Sequence, residues 1–264
     1  MSHLIQELSP DDVDRYTILR GLVGSTVHGL SVSDQDDRDE MGICVEPWEH
    51  FFGLRPRWEH YVHRTQPEGA RSGPGDLDLV VYSLAKWARL ALNGNPTILI
   101  LLFLPPHAIV KDTDMGRALR ALAPHFVGST IFERYLGYMR KQRNHMLNKT
   151  KMPSRPELIA RYGFDTKYAG HLLRLGYQGI ELAEHGRLTL PMPEPVRTHI
   201  VDVRTGKVGE AGVLAEAEEL ENRLLALQTS RNLPPPDVRF VERFVLDAYM
   251  QLHPRSSQDA RRGV

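Results

Sequence analysis

The chain has one cysteine, Cys44, in 264 residues. A lone thiol admits no internal disulfide and no cysteine-rich zinc centre. It fits a reducing compartment, so a cytoplasmic location is expected. Long apolar runs are lacking too. The longest, "ILILLFL" at Ile98–Leu104, falls far short of the roughly 20 residues that span a bilayer, so no membrane partner is expected. The opening "MSHLIQELSPDDVDRY" is acidic and lacks the apolar stretch of a secretion signal. An excess of one charge is also missing, because 33 basic residues balance 33 acidic ones. Any attraction to a polyanion must then come from local patches. The Walker pattern G-x-x-x-x-G-K-[ST] does not occur, which excludes that route to phosphate binding.

What is present is ordinary globular composition, 41% hydrophobic and 25% charged. The length suits one catalytic domain with a smaller helical part. The first third reads as short strands at 16–24, 41–46, 58–64 and 76–84, with a Gly/Pro-rich loop at 67–75. The helical period takes over at 84–94. After a buried segment bounded by prolines, nearly everything reads helical: 114–123, 130–147, 156–184, 213–228 and 237–252. The expected fold class is therefore α+β. Its expected parts are a small mixed-sheet domain over 1–108, a helical substrate-binding domain over 109–252 and a loose tail over 253–264.

The chemistry concentrates in "GLVGSTVHGLSVSDQDDRDEMGICV", residues 21–45. Asp37 and Asp39 are two residues apart, the spacing that puts side chains on one face of a strand. Like charges so close repel unless a cation lies between them, and hard Mg²⁺ prefers such oxygen ligands. Asp78 opens a later strand and can supply a third carboxylate if the strands are neighbours. Asp34 and Asp36 form a competing pair in the same loop. Gly24 ends a strand, where a glycine lets the backbone approach a ligand closely, and Ser25 follows it. A D-x-D or a Gly-Ser pair alone is a weak signal, most often a solvated loop. The order of strand, Gly-Ser, loop, D-x-D, strand and later Asp is stronger.

That order resembles the nucleotidyltransferases of the DNA polymerase β superfamily. The likeness is closest to its RlaP/YcgL-like branch of RNA-repair-associated proteins. It rests on "GSTVHGL…DRDEMGI", on "DLVVYSLAKWARLALNGNPTILILLF" at 78–103, and on "YGFDTKYAGHLLRLGYQGIELAEHGRLTLP" at 162–191. The resemblance implies transfer of a nucleoside monophosphate from an NTP to an acceptor hydroxyl, with pyrophosphate leaving. It implies two Mg²⁺ or Mn²⁺ ions on Asp37, Asp39 and Asp78. It implies a triphosphate held at Gly24 and Ser25, and an RNA 3′ end as acceptor. The alternatives are a protein or small-molecule acceptor, or an inactive nucleotide-binding module.

A second constellation lies on the later helix. Lys167, His171 and Arg174 fall at i, i+4 and i+7 on one face and can hold a triphosphate or an RNA backbone. A solvated basic stripe is the plain alternative. Asp165 suits a helix N-cap or a partner for Lys167. His28, inside the Gly-Ser loop, either touches phosphate or caps a turn. Lys86 either faces the phosphates or snorkels. Tyr138, Arg140, Lys141 and Arg143 head the densest basic run and can grip a polynucleotide or form a charged helix face. Cys44 and Trp87 read as core. The second "VGST", at 127–130, reads as a helix start with Thr130 and Glu133 as a capping box.

Overall fold

The computed structural model describes residues 8–32, 38–52, 57–67, 75–147 and 155–253. Helix α1 (Pro10–Tyr16) starts at Ser9, whose hydroxyl accepts from the Asp12 N–H at 3.1 Å, with Pro10 in its first turn. It leads into β1 (Thr17–Leu22), the short α2 (Gly24–His28) and β2 (Arg38–Cys44). Then come α3 (Trp48–Phe51), β3 (His60–Arg64) and β4 (Leu77–Ser83). Ser83 caps α4 (Leu84–Leu92), accepting from the Lys86 N–H at 3.2 Å.

The apolar segment after α4 is α5 (Pro96–Leu99) and a 3₁₀ turn, Ile100–Phe103, followed by β5 (Ile109–Asp112). The strand β5 was not legible in the sequence. It pairs antiparallel with β1, so the sheet continues past residue 108. The sheet order is β3-β4-β2-β1-β5. The β2–β4 pair is parallel; β1–β2, β1–β5 and β3–β4 are antiparallel. The mixed sheet followed by helices is the expected α+β class.

Strand alternation gives the sheet two faces. One carries Met41 and Ile43 into the main core, with Leu84 and Trp87 of α4. The other carries Cys44, Leu79 and Val81 against Leu8 and Val13 around α1. Trp87 is fully buried, edge-on to Phe126 at 5.3 Å between centroids. Truncating it to Ala should cost roughly 3–5 kcal/mol.

The helical region follows as α6 (Asp114–Ala121), α7 (Ala123–Phe126), α8 (Thr130–Met146), α9 (Pro156–Tyr162), α10 (Thr166–His185), α11 (Val196–Arg204), α12 (Glu210–Arg231) and α13 (Val238–Leu252). The expected single helix over 156–184 is two. Gly163, at φ 86°, ends α9, and Asp165 restarts the chain as the N-cap of α10. The expected Thr130–Glu133 capping box does not form. Ser129 is the N-cap of α8, and the Thr130 hydroxyl donates to the Leu92 carbonyl at 3.0 Å.

Helices α8 and α12 flank α10 closely because α10 offers glycines there. A Cβ on Gly176 would stand 2.8 Å from Leu220, and one on Gly179 3.0 Å from Tyr135. The last helix, α13, returns to the sheet. The Tyr249 hydroxyl donates to the buried Glu46 at 2.8 Å, and the Trp48 indole N–H donates to the His253 carbonyl at 2.6 Å.

Candidate active site

The strand β2 begins three residues before the expected "MGICV", so Asp39 lies inside the sheet rather than at its mouth. In the parallel β2–β4 ladder Asp39 is the register partner of Asp78. Partners in a ladder project from the same face, one strand spacing apart. The same face carries Met41 and Ile43 deeper in, so the two carboxylates stand at the polar end of an otherwise apolar surface. Asp37 and the competing Asp34 and Asp36 lie outside the described residues. Among the described residues, no group of three or more His, Cys, Asp or Glu stands close enough to hold a metal ion. The Asp39–Asp78 pair still fits a hard divalent cation, because its donors are carboxylate oxygens and its like charges gain from one.

Asp78 also meets the neighbouring edge strand. Its Oδ1 accepts from Gln66 Nε2 at 2.9 Å and lies 3.2 Å from Arg64 Nε, the residue opposite it on β3. The opposite face of β2 holds the next acid, Glu40, buried between Arg20 and Arg38 and ion-paired to both. Neighbouring acids on one strand are thus sorted by pleat: Glu40 into a structural ion cluster, Asp39 towards the site.

Gly24 abuts Asp39. It has φ 72°, and a Cβ there would lie 2.0 Å from Asp39 Oδ2. The Val23 N–H donates to the Asp39 carbonyl at 2.9 Å, which fixes the start of α2 beside the carboxylate. Only glycine combines that left-handed backbone with that close approach. Ser25 follows in the first turn of α2.

The turn is held from behind by the helical region. His28 is buried, with Nε2 against Arg174 Nη1 and Nδ1 3.1 Å from the Gln178 amide. Its carbonyl accepts from the Met192 N–H at 3.1 Å. Arg204 donates to the Leu30 carbonyl. A Cβ on Gly29 would lie 2.8 Å from Arg197 Cδ. His28 therefore faces the protein interior, with both ring nitrogens engaged there.

Lys167, His171 and Arg174 do share a face of α10, and they are joined by basic residues the sequence reading did not include. Burial depresses the His171 pKa well below the usual histidine range, and Arg174, Lys167, Arg204 and Arg155 depress it further. Burial also pushes Arg174 down to about 10. Four cations thus surround one neutral imidazole, a field that favours an anion. Two buried polar atoms there, Arg174 Nε and the Thr166 hydroxyl, have no hydrogen-bond partner among the described residues. Arg155 and Arg204 escaped notice because they lie outside α10, where no helical spacing links them to it. Asp165 caps α10 through the Lys167 and Tyr168 N–H groups at 3.1 and 3.2 Å, and its charge partner is Arg155 at 3.4 Å.

Of the remaining candidates, Lys86, Tyr138 and Arg143 are engaged locally. Lys86 Nζ lies 2.8 Å from Glu59 and 3.2 Å from His60 Nδ1. The Tyr138 hydroxyl accepts from Asn95 at 3.2 Å, and Arg143 pairs with Glu221 at 2.6 Å. Arg140 and Lys141 are exposed on α8. Among the described residues no helix is long and apolar enough to cross a membrane.

Comparison with known proteins agrees with the expected family. The chain is 29% identical over 128 residues to the "Uncharacterized 38.9 kDa protein in nrdC-mobD intergenic region" of Enterobacteria phage T4. That match covers 48% of this chain and 37% of the phage protein. A nucleotidyltransferase-like protein from Exiguobacterium sibiricum 255-15 aligns over 91% of this chain and 76% of its own, with 15% identity and a TM-score of 0.29. The family model described as "RlaP: RNA repair pathway DNA polymerase beta family" matches residues 6–261. The chain belongs to the RlaP family of RNA repair pathway, polymerase-β-like nucleotidyltransferases.

Proposed function

We propose that the protein transfers a nucleoside monophosphate from an NTP to the 3′ hydroxyl of an RNA, releasing pyrophosphate. The observation that carries this is the pairing of Asp39 with Asp78 on one sheet face, with Gly24 in contact with Asp39. Asp37, Asp39 and Asp78 would hold Mg²⁺ or Mn²⁺, which supplies charge neutralisation at the phosphates and acidifies the attacking hydroxyl.

The chain's own residues do the rest. Gly24 and Ser25 bring the backbone and a hydroxyl to the phosphates. Lys167 and Arg174, with Arg155 and Arg204, set the positive field in which a triphosphate is held. His171 stays neutral among them because burial and four cations oppose its protonation. Catalysis of this kind is mainly positioning and electrostatic stabilisation. The sheet region, which runs through β5, carries the carboxylates, and the helical region after it supplies the substrate-binding cations.

The test is a transfer assay with each of four labelled NTPs and a pool of RNAs bearing intact or damaged 3′ ends, with cell protein as the parallel acceptor. Label in RNA that requires a divalent cation and is lost in Asp39→Ala supports the reading. Label in the protein pool alone, or label equal in Asp39→Ala, refutes it.

A further inference from the structure

Helix α2, which carries Gly24 and Ser25, is five residues long and has no side-chain hydrogen bond at its N-cap. A helix that short is not stable by itself. Its placement must come from what packs on it. Val27 and His28 are its buried residues, and His28 is the one with polar contacts on both sides. Those contacts come from Arg174 and Gln178, four residues apart on α10 and so on one face.

The chemistry of this trio is determined. A guanidinium only donates, so Nε2 of His28 accepts from Arg174. A neutral imidazole then carries its proton on Nδ1. The structure sets Gln178 Nε2 3.1 Å from Nδ1; the amide oxygen and nitrogen exchange places by a flip, and only the oxygen can accept from that N–H. Gln178 is buried, 1% exposed, and His28 is 2% exposed. Water does not substitute for either partner without opening the packing.

We infer that Gln178 is a positioning residue for nucleotide binding: by accepting from Nδ1–H it fixes the tautomer of His28, which lets Arg174 bond Nε2 and holds the Gly24–Ser25 turn against Asp39. This rests on the proposed nucleotidyl transfer for its functional half. The charged and titratable groups around His28 are Arg174 and His171 on α10, with Arg197 and Arg204 of α11 against the residues just after it. None is an acid. Burial and these cations keep the imidazole neutral, and neutrality is what the Arg174 bond requires.

Two variants separate this role from simple packing. Gln178→Leu keeps the volume and removes the acceptor; Gln178→Glu keeps an acceptor and adds a charge. Long-range ¹⁵N spectra of the full chain read the His28 tautomer without any activity. The Nδ1–H form is expected in the wild type and in Gln178→Glu, and a mixture in Gln178→Leu. With Mg²⁺ present, calorimetry should show NTP affinity about tenfold weaker in Gln178→Leu and near wild type in Gln178→Glu at pH 8. The Gln178→Glu affinity should fall away at a higher pH than the wild type's, because a carboxylate favours the imidazolium that repels Arg174. A wild-type Nε2–H tautomer overturns the inference, and so do equal NTP affinities in all three proteins. Equal defects in both variants, with no displaced pH limb, would make Gln178 a packing residue and overturn it too. If wild-type protein bound NTP but transferred nothing, the transfer reading would fall while the tautomer and affinity results still decided the role of Gln178.

Discussion

Asp39 and Asp78 are register partners in the parallel ladder between β2 and β4, so their carboxylates leave one sheet face a single strand apart. Two carboxylates carried on strands roughly 5 Å apart repel each other and attract a divalent ion. Mg²⁺ should therefore raise the melting temperature of the wild type and have no such effect on Asp39→Asn or Asp78→Asn. Both variants should keep the wild-type circular dichroism spectrum. Nucleotide transfer should fall by on the order of 10²–10³-fold or more, the scale seen when transition-state charge stabilisation is removed.

Gly24→Ala tests the close approach. Its added methyl would lie 2.0 Å from Asp39 Oδ2, on a backbone at φ 72°. The left-handed conformation alone costs about 1–2 kcal/mol for a non-glycine residue. We expect a lower melting temperature together with a loss of the Mg²⁺-dependent thermal shift, because the carboxylate must move. A variant that melts early but keeps the full shift would show that Asp39 is not the group displaced.

Glu46 sets a pH dependence at the junction of sheet and α13. Burial pushes its carboxyl up to about 7, against the opposing effect of the Tyr249 hydroxyl bond. A carboxyl whose pKa is raised on folding contributes most below its unfolded pKa, 4.5, and loses that contribution as pH rises through about 7. The loss is on the order of 3 kcal/mol over that window. Glu46→Gln, which keeps an acceptor for Tyr249, should match the wild type near pH 4.5 and melt higher than it at pH 8.

His28 and His171 act in the opposite direction. Burial and nearby cations hold both well below 6.5 in the folded chain. Their contribution is complete above the unfolded value and is lost as pH falls towards the folded ones. Urea midpoints should drop steadily below about pH 6.5. His171→Gln should flatten that slope.

The strand order of the site was legible because Gly, Ser and the paired acids are marked by residue type and spacing. The strand opened by Asp78 does lie beside the strand of Asp39, which was the condition for a third carboxylate, while the period-2 pairing of Asp37 with Asp39 falls outside the described residues. The support behind the site was hidden. Nothing in the spacing of His28, Gln178 and Arg204 says they meet, since α10 and α11 reach the Gly-Ser turn only through tertiary packing. The strand β5 was missed because "IVKD" is four residues long and sits in a helix-rich stretch. The helix start at Thr130 was misread because a local motif lost to a distant acceptor, the Leu92 carbonyl.

The single cysteine has a practical consequence. Cys44 is wholly buried, and burial with the Glu46 charge raises its pKa, so almost no thiolate is exposed to reagents. The wild-type chain is thus spectroscopically silent to maleimide chemistry. A cysteine placed at an exposed position on α8 and another on β3 would take a dye pair cleanly, and the distance between the helical region and the sheet could be followed as nucleotide arrives.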